Sequence, residues 1–143
     1  MTAPAPAAPH TAPLPLRRGG GFEVAFVPGP ERIAQMRKIT AVHLRYWKVP
    51  EPQRPDIILI VSELVTNAMV HGHGQVGLRI DRTDDQVYIE VTDENPAPAQ
   101  LRHSTEDDMS GRGLHIVDVL AQNWGVSNGG RTTWCALSTG GGR

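Results

Sequence analysis

The chain has a single cysteine, Cys135, and its charges nearly balance, with 14 Lys and Arg against 15 Asp and Glu. One cysteine excludes an internal disulfide and is typical of the reducing cytoplasm. No cluster of basic residues occurs, so the electrostatic footprint of a nucleic-acid-binding protein is missing. No run of about 18 apolar residues occurs either, which argues against a membrane-spanning segment. We therefore expect a cytoplasmic protein that binds neither nucleic acid nor membrane directly.

The length of 143 residues corresponds to one domain, and composition separates that domain from two flanking segments. Residues 1–20 are rich in Ala and Pro and show no hydrophobic period. We expect a disordered tail there, with a docking segment as the alternative. Residues 139–143 are mostly glycine and are also predicted to be disordered. Residues 21–138 are predicted to form the folded domain.

Hydrophobic periodicity predicts elements in the order strand, helix, helix, strand, strand, loop, helix, strand, strand. Helices follow helices and strands follow strands in this order, which favours a layered α+β domain over one in which strands and helices alternate around a parallel sheet. In the strand at 86–92, apolar residues alternate with Gln86, Tyr88 and Glu90, which predicts one buried face. The first helix is predicted from a stripe at Ile33, Met36, Thr40, Leu44 and Trp47. The other predicted ranges are strands at 22–27, 76–81, 124–127 and 132–137, and helices at 55–71 and 113–121.

One predicted helix carries a pair of polar residues that suits phosphate chemistry. Glu63 and Asn67 are four residues apart and therefore adjacent on one helical face, away from the apolar stripe. An Asn side-chain oxygen can ligand Mg²⁺, and a Glu one turn earlier can orient or deprotonate a nucleophile. From spacing alone, a solvated polar face with an ordinary side-chain contact is the commoner interpretation.

Two further features could hold a nucleotide, although each is weak alone. Asp93 follows an apolar strand, where a carboxylate can accept a hydrogen bond from an adenine amino group or can simply cap a turn. Gly111-Arg112-Gly113 directly precedes a predicted helix, where backbone N–H groups can approach a phosphate. A simple loop–helix junction is the alternative. Neither a Walker A motif nor the dinucleotide-binding fingerprint is present.

Together these features resemble the GHKL-type ATPase superfamily, and most closely the small bacterial anti-sigma-factor kinases of the RsbW and SpoIIAB type. SELVTNAMVHG (62–72) is similar to the family's N-box, and VTDENP (91–96) stands at the position of the adenine-contacting Asp box. GRGLHIVDVLA (111–121) is similar to the glycine box that closes the ATP lid, and GRTTW (130–134) resembles the final strand. The resemblance implies a Bergerat-type two-layer α/β sandwich, with a mixed, mostly antiparallel sheet and helices on one face.

The resemblance also implies roles for individual residues. Asn67 would ligand Mg²⁺, Glu63 would be the general base, and Asp93 would accept the adenine amino group with Thr132 supporting it through water. The family often has Gly two residues after the Asp; here Asn95 stands there, and Asn tolerates positive φ better than most residues. The remaining cofactor-binding positions implied are Asn95 and the glycine-box residues Gly111, Arg112, Gly113 and Leu114.

The implied function is that of an ATP-binding regulator of the anti-sigma type, acting as a protein serine kinase on an anti-sigma-factor antagonist. A sigma factor is the other implied partner, and a homodimer contacting through residues 22–27 and the first helix is plausible by resemblance. The sequence contains no phosphoacceptor helix pair, so we do not expect a complete histidine kinase. Two alternatives stay open: a module that binds ATP and sequesters a partner without phosphotransfer, and a degenerate domain that binds no nucleotide.

Overall fold

The computed structural model describes residues 20–94 and 109–139, with backbone alone for residues 109–114. The strands are β1 (Gly21–Phe26), β2 (Val76–Arg82), β3 (Gln86–Thr92), β4 (Asn123–Ser127) and β5 (Thr132–Ser138). The helices are α1 (Arg32–Tyr46), α2 (Arg54–His71) and α3 (Met109–Leu120), with short 3₁₀ turns at Glu51–Gln53 and Asn128–Gly130. This order confirms the predicted element sequence, and most predicted boundaries agree within one or two residues.

The start of α3 differs from the prediction by four residues. The glycines at 111 and 113 predict a helix that begins at Gly113, whereas the helix begins at Met109. Glycine costs a helix interior about 1 kcal/mol relative to alanine, which weakens a helix without ending it. The glycine box therefore belongs to the first turns of α3. The predicted loop from 95 to 108, including Asn95, lies outside the described residues.

The five strands form one sheet in the order β1-β2-β3-β5-β4. Each neighbouring pair of described strands is antiparallel, so the parallel pairing that a mixed sheet would include does not occur among them. Helix α2 packs between α1 and α3 and lies over β2 and β3, while α3 contacts β4. The described helices thus cover one face of the sheet, which confirms the predicted layered α+β fold.

The core lies between the helices and the sheet. The predicted stripe of α1 is confirmed, since Met36, Thr40, Leu44 and the following Trp47 are buried. Cys135 is fully buried as a small packed residue, and burial raises the pKa of its thiol. Other fully enclosed side chains come from α2 and the central strands: Ile57, Ile60, Val61, Val65, Leu78, Ile80, Val87 and Ile89.

The opposite face of the sheet is less open than the alternation in β3 predicts. Tyr88 points away from the helices, because successive strand residues alternate between faces, yet it is only 7% exposed. Its ring stacks near that of Trp134 on β5, with centroids 6.0 Å apart. We call this helix-free side the outer face. No helix among residues 20–94 and 109–139 is long and apolar enough to cross a membrane.

Candidate functional site

Asn67 lies on the fourth turn of α2 and is 4% exposed. Its Oδ1 is buried and has no hydrogen-bond partner among the described residues. Leaving a buried polar atom unpaired costs about 1–3 kcal/mol, so such an atom in a native fold calls for an explanation. An amide oxygen is a hard ligand of the kind that Mg²⁺ takes together with water and phosphate oxygens. The Asn67 side-chain oxygen is therefore a suitable ligand for the implied Mg²⁺.

Glu63 lies one helical turn before Asn67 and is half-buried. Desolvation by burial raises the pKa of its carboxyl group. The side chain lines a cavity between α1 and the first turns of α2, together with Arg37, Glu51 and Arg54. A carboxylate with a raised pKa beside an accessible cavity suits proton transfer to or from an incoming group.

Asp93 follows β3 and is 4% exposed. Its backbone N–H donates to the carbonyl of Arg131, with N and O 2.9 Å apart. Its carboxylate lies against the residue that ends α2: a Cβ added to Gly72 would lie 2.5 Å from Asp93 Cγ. The next residue, Glu94, donates its N–H to the carbonyl of His73. The end of β3 is thus fixed between the end of α2 and the start of β5.

Glycine is required at position 72 because the Asp93 carboxyl group lies so close to it, and not because of its backbone conformation. Its φ of −88° and ψ of −171° are extended values that any residue can adopt. Any side chain would, however, collide with the Asp93 carboxyl group and with the carbonyl of Ala68. The absence of a side chain at the last residue of the N-box therefore lets Asp93 lie close to α2.

Thr132 is not on the same face of the sheet as Asp93. It pairs with Thr92, and the two hydroxyl oxygens are 3.1 Å apart on the outer face. The neighbouring Thr133 pairs with Val91, is 7% exposed and lies on the helix-covered face, as Asp93 does. The structure thus brings Thr133 to the side of Asp93. The apolar alternation of Cys135 and Leu137 is the sequence signal that could have identified Thr133.

The glycine box is described only as backbone. Gly111, Arg112, Gly113 and Leu114 lie in the first half of α3, which packs against α2. The first four N–H groups of a helix lack intrahelical acceptors. In α3 these include residues 109–111, so Gly111 of the glycine box carries an N–H group available to an anion.

Glu63 and Asn67 lie on α2, and the glycine box lies in the first turns of α3, the helix packed beside it. Asp93 lies against Gly72, directly after the end of α2. No group of three or more His, Cys, Asp or Glu within the described part of the chain could hold a metal alone. A metal at Asn67 would therefore depend on water and on oxygens of a bound ligand. Mg²⁺ with a nucleotide has this property, since Mg²⁺ usually binds one or two protein groups plus phosphates.

Comparison with known protein families finds a match to the histidine kinase-like ATPase domain over residues 26–137. The matched range runs from the last residue of β1 to the penultimate residue of β5 and contains every candidate site residue. No curated protein matches the chain.

Proposed function

The chain belongs to the histidine kinase-like ATPase domain family, and on this premise we propose that it binds Mg²⁺ and ATP and phosphorylates a serine of a protein partner. The observation that carries the proposal is the buried Oδ1 of Asn67, which has no hydrogen-bond partner in the described part of the chain and lies one helical turn beyond the half-buried Glu63. By resemblance, the partner is an anti-sigma-factor antagonist, and a sigma factor is a second binding partner.

The adenine would lie near Asp93. Its carboxylate would accept the amino group, and Thr133, on the same face of the sheet, would support the base. Thr132 has a hydroxyl contact with Thr92 on the other face. This geometry favours Thr133 for the part that the family resemblance gives to Thr132.

The phosphates would extend from Asp93 towards the start of α3. Backbone N–H groups at the start of α3, including that of Gly111, would donate to phosphate oxygens, where the helix dipole also favours negative charge. Asn67 would hold Mg²⁺, which supplies positive charge to offset that of the phosphates.

Glu63 would act on the serine hydroxyl. The serine oxygen forms a bond to the γ-phosphorus, the bond from that phosphorus to the bridging oxygen breaks, and ADP leaves. The hydroxyl proton goes to the Glu63 carboxylate. Desolvation raises the pKa of this carboxyl group towards the operating pH, which improves its efficiency as a base.

The test is phosphotransfer from labelled ATP to a cognate anti-sigma-factor antagonist. We expect Glu63→Gln to lower the transfer rate by about 10²–10⁴-fold while ATP binding is kept. Glu51→Gln removes a charge from the same cavity and serves as the matched control, with a rate near that of wild type. Absence of transfer by wild type, or equal rates for Glu63→Gln and wild type, would overturn the kinase proposal.

A partner-sequestering module without phosphotransfer is the second candidate. It is favoured by the absence of any described hydrogen bond or ion pair that fixes the Glu63 side chain, whereas Asp93 is held by packing against Gly72. Titration calorimetry with ATP, followed by a turnover assay, separates the candidates. Tight binding with no turnover, with or without the antagonist, would establish the module.

A further inference from the structure

The outer face of the sheet has an acidic half and an aromatic half. On the acidic half, Arg79 of β2 lies directly between Glu23 of β1 and Glu90 of β3. Arg79 pairs with Asp81 at 2.7 Å and with Glu90 at 3.5 Å. Counting the described residues alone, Glu23, Asp81 and Glu90 with Arg79 give this half a formal charge of −2.

The aromatic half is centred on the stacked Tyr88 and Trp134. Trp134 extends over the neighbouring strand β4, where a Cβ on Gly125 would lie 3.0 Å from the indole ring. The hydroxyl of Tyr88 is buried and has no hydrogen-bond partner among the described residues.

Both halves are more enclosed than an open sheet face would be. Tyr88 is 7% exposed and Asp81 is fully buried, although the described helices lie on the other side of the sheet. Burial is also the largest cause of the raised pKa values of Tyr88 and Glu90. Such low exposure is typical of a sheet face that is covered.

We propose that residues 13–18 of this chain, Pro-Leu-Pro-Leu-Arg-Arg, cover the outer face, with the leucines on the Tyr88–Trp134 pair and the arginines on the acidic half. This proposal favours the docking alternative for the N-terminal segment. It does not depend on nucleotide binding.

The charges and side-chain types of residues 13–18 are complementary to those of the outer face. Arg17 and Arg18 carry two positive charges, opposite in sign to the formal charge of the acidic half. Proline-rich segments adopt the polyproline II conformation, which leaves their carbonyls unpaired, and they bind to aromatic surfaces in other proteins. A carbonyl of this segment would give the Tyr88 hydroxyl the acceptor that it lacks among the described residues.

The segment also joins β1 at a position from which it can reach both halves of the outer face. Gly21 pairs with Asp81, which in turn pairs with Tyr88, so these three residues form one row across the strands. With strands about 4.8 Å apart, Tyr88 is about 10 Å from Gly21. At up to about 3.5 Å per residue, Arg18 reaches Asp81 and Leu16 reaches beyond Tyr88.

The backbone at Gly20 allows the turn that this path needs. Gly20 has φ +101°, a conformation that residues with a side chain rarely adopt, and its carbonyl accepts a hydrogen bond from Arg82 N–H at 3.1 Å. The chain is therefore fixed to β2 at the residue where it would turn onto the face.

A paramagnetic label tests the proposal in the full-length protein. We place a nitroxide on Ala12→Cys; Cys135 does not compete, because it is fully buried and its pKa is raised. We expect the amide signals of Tyr88 and Ala136 to lose most of their intensity, while that of Ala68 in the helical layer keeps most of its own. Arg17→Glu with Arg18→Glu should restore the lost intensity, and Arg17→Lys with Arg18→Lys should not.

Three results would overturn the proposal. The first is an absence of selective broadening in the labelled protein. The second is broadening that survives the double charge reversal. The third is broadening that appears only when isotope-labelled chains are mixed with spin-labelled, isotopically unlabelled chains, because a second copy would then occupy the face.

Discussion

Replacing Asn67 by leucine tests the central feature of the site, because the change should act in opposite directions on stability and on binding. Leucine has a similar branched shape and no polar atoms. The unpaired Oδ1 costs the ligand-free protein about 1–3 kcal/mol. Removing it should therefore increase the free energy of unfolding by about that amount, which corresponds to a rise of about 2–8 °C in Tm per kcal/mol.

The same substitution should abolish stabilisation by Mg²⁺ and ATP. A ligand present at 100 times its Kd adds about 2.7 kcal/mol to the stability of the protein that binds it. Wild type should show this gain, and Asn67→Leu should not. The assay is chemical unfolding followed by tryptophan fluorescence, with and without Mg²⁺ and ATP. Asn123→Leu, at an exposed position, is the control and should change stability by less than about 0.5 kcal/mol.

Destabilisation of the ligand-free protein by Asn67→Leu would contradict this prediction. Such a result would mean that the amide oxygen is already satisfied, for example by an ordered water. The prediction also fails if the variant gains as much stability from Mg²⁺ and ATP as wild type does. Asn67→Asp gives a further comparison, since it keeps an oxygen ligand for Mg²⁺ but buries a carboxylate in the ligand-free protein.

Gly72→Ala should lower ATP affinity by at least about tenfold, or 1.4 kcal/mol, because the new methyl group displaces the carboxylate that follows β3. Calorimetry measures the loss, and Gly77→Ala, whose added Cβ meets only one atom at 3.9 Å, should bind as wild type does. Thr133→Val should weaken ATP binding by roughly fivefold, as expected for one hydrogen bond of about 1 kcal/mol, while Thr132→Val should not; the reverse order would contradict the assignment. The raised folded pKa of Glu63 favours its protonated form, so its contribution to stability is present below the unfolded value of 4.5 and is lost as pH rises through the folded pKa. Glu63→Gln should therefore be more stable than wild type at pH 7 and lose that advantage in acid, as measured by unfolding at several pH values, whereas wild-type phosphotransfer should fall as Glu63 becomes protonated.

Much of the fold follows from local patterns in the sequence. The alternation in β3 and the stripe of α1 identify the residues that face the core, because the periods of strands and helices differ. Tyr88 shows the limit of this reasoning. An aromatic residue at an outward position of a strand looks exposed in the sequence, and only the pairing of β3 with β5 reveals its neighbour Trp134.

Local sequence patterns say less about which side chains share a face at the candidate site than about the fold, for a similar reason. The sequence places two threonines side by side at the start of the last strand, and adjacent residues of a strand face opposite sides. The pairing with Thr92 and Val91 decides which threonine shares a face with Asp93. The start of α3 also escaped prediction, because glycine lowers helix stability without determining where a helix begins.

Three features of the site depend on burial and close packing, which local sequence patterns do not reveal. Asn67 has a buried oxygen without a partner among residues 20–94 and 109–139, Glu63 has a partly desolvated carboxylate, and Gly72 leaves no room for a side chain beside Asp93. In the ligand-free protein the first two lower stability, and glycine restricts the chain less than other residues do. Bound Mg²⁺ would pair the Asn67 oxygen, and ATP would contact the Asp93 carboxylate. Binding should therefore recover stability that the empty site lacks, and the ligand-free protein should open first near the end of α2. Hydrogen exchange at the amides of Ala68 to Gly72 measures this opening, and unchanged exchange on addition of Mg²⁺ and ATP would contradict it.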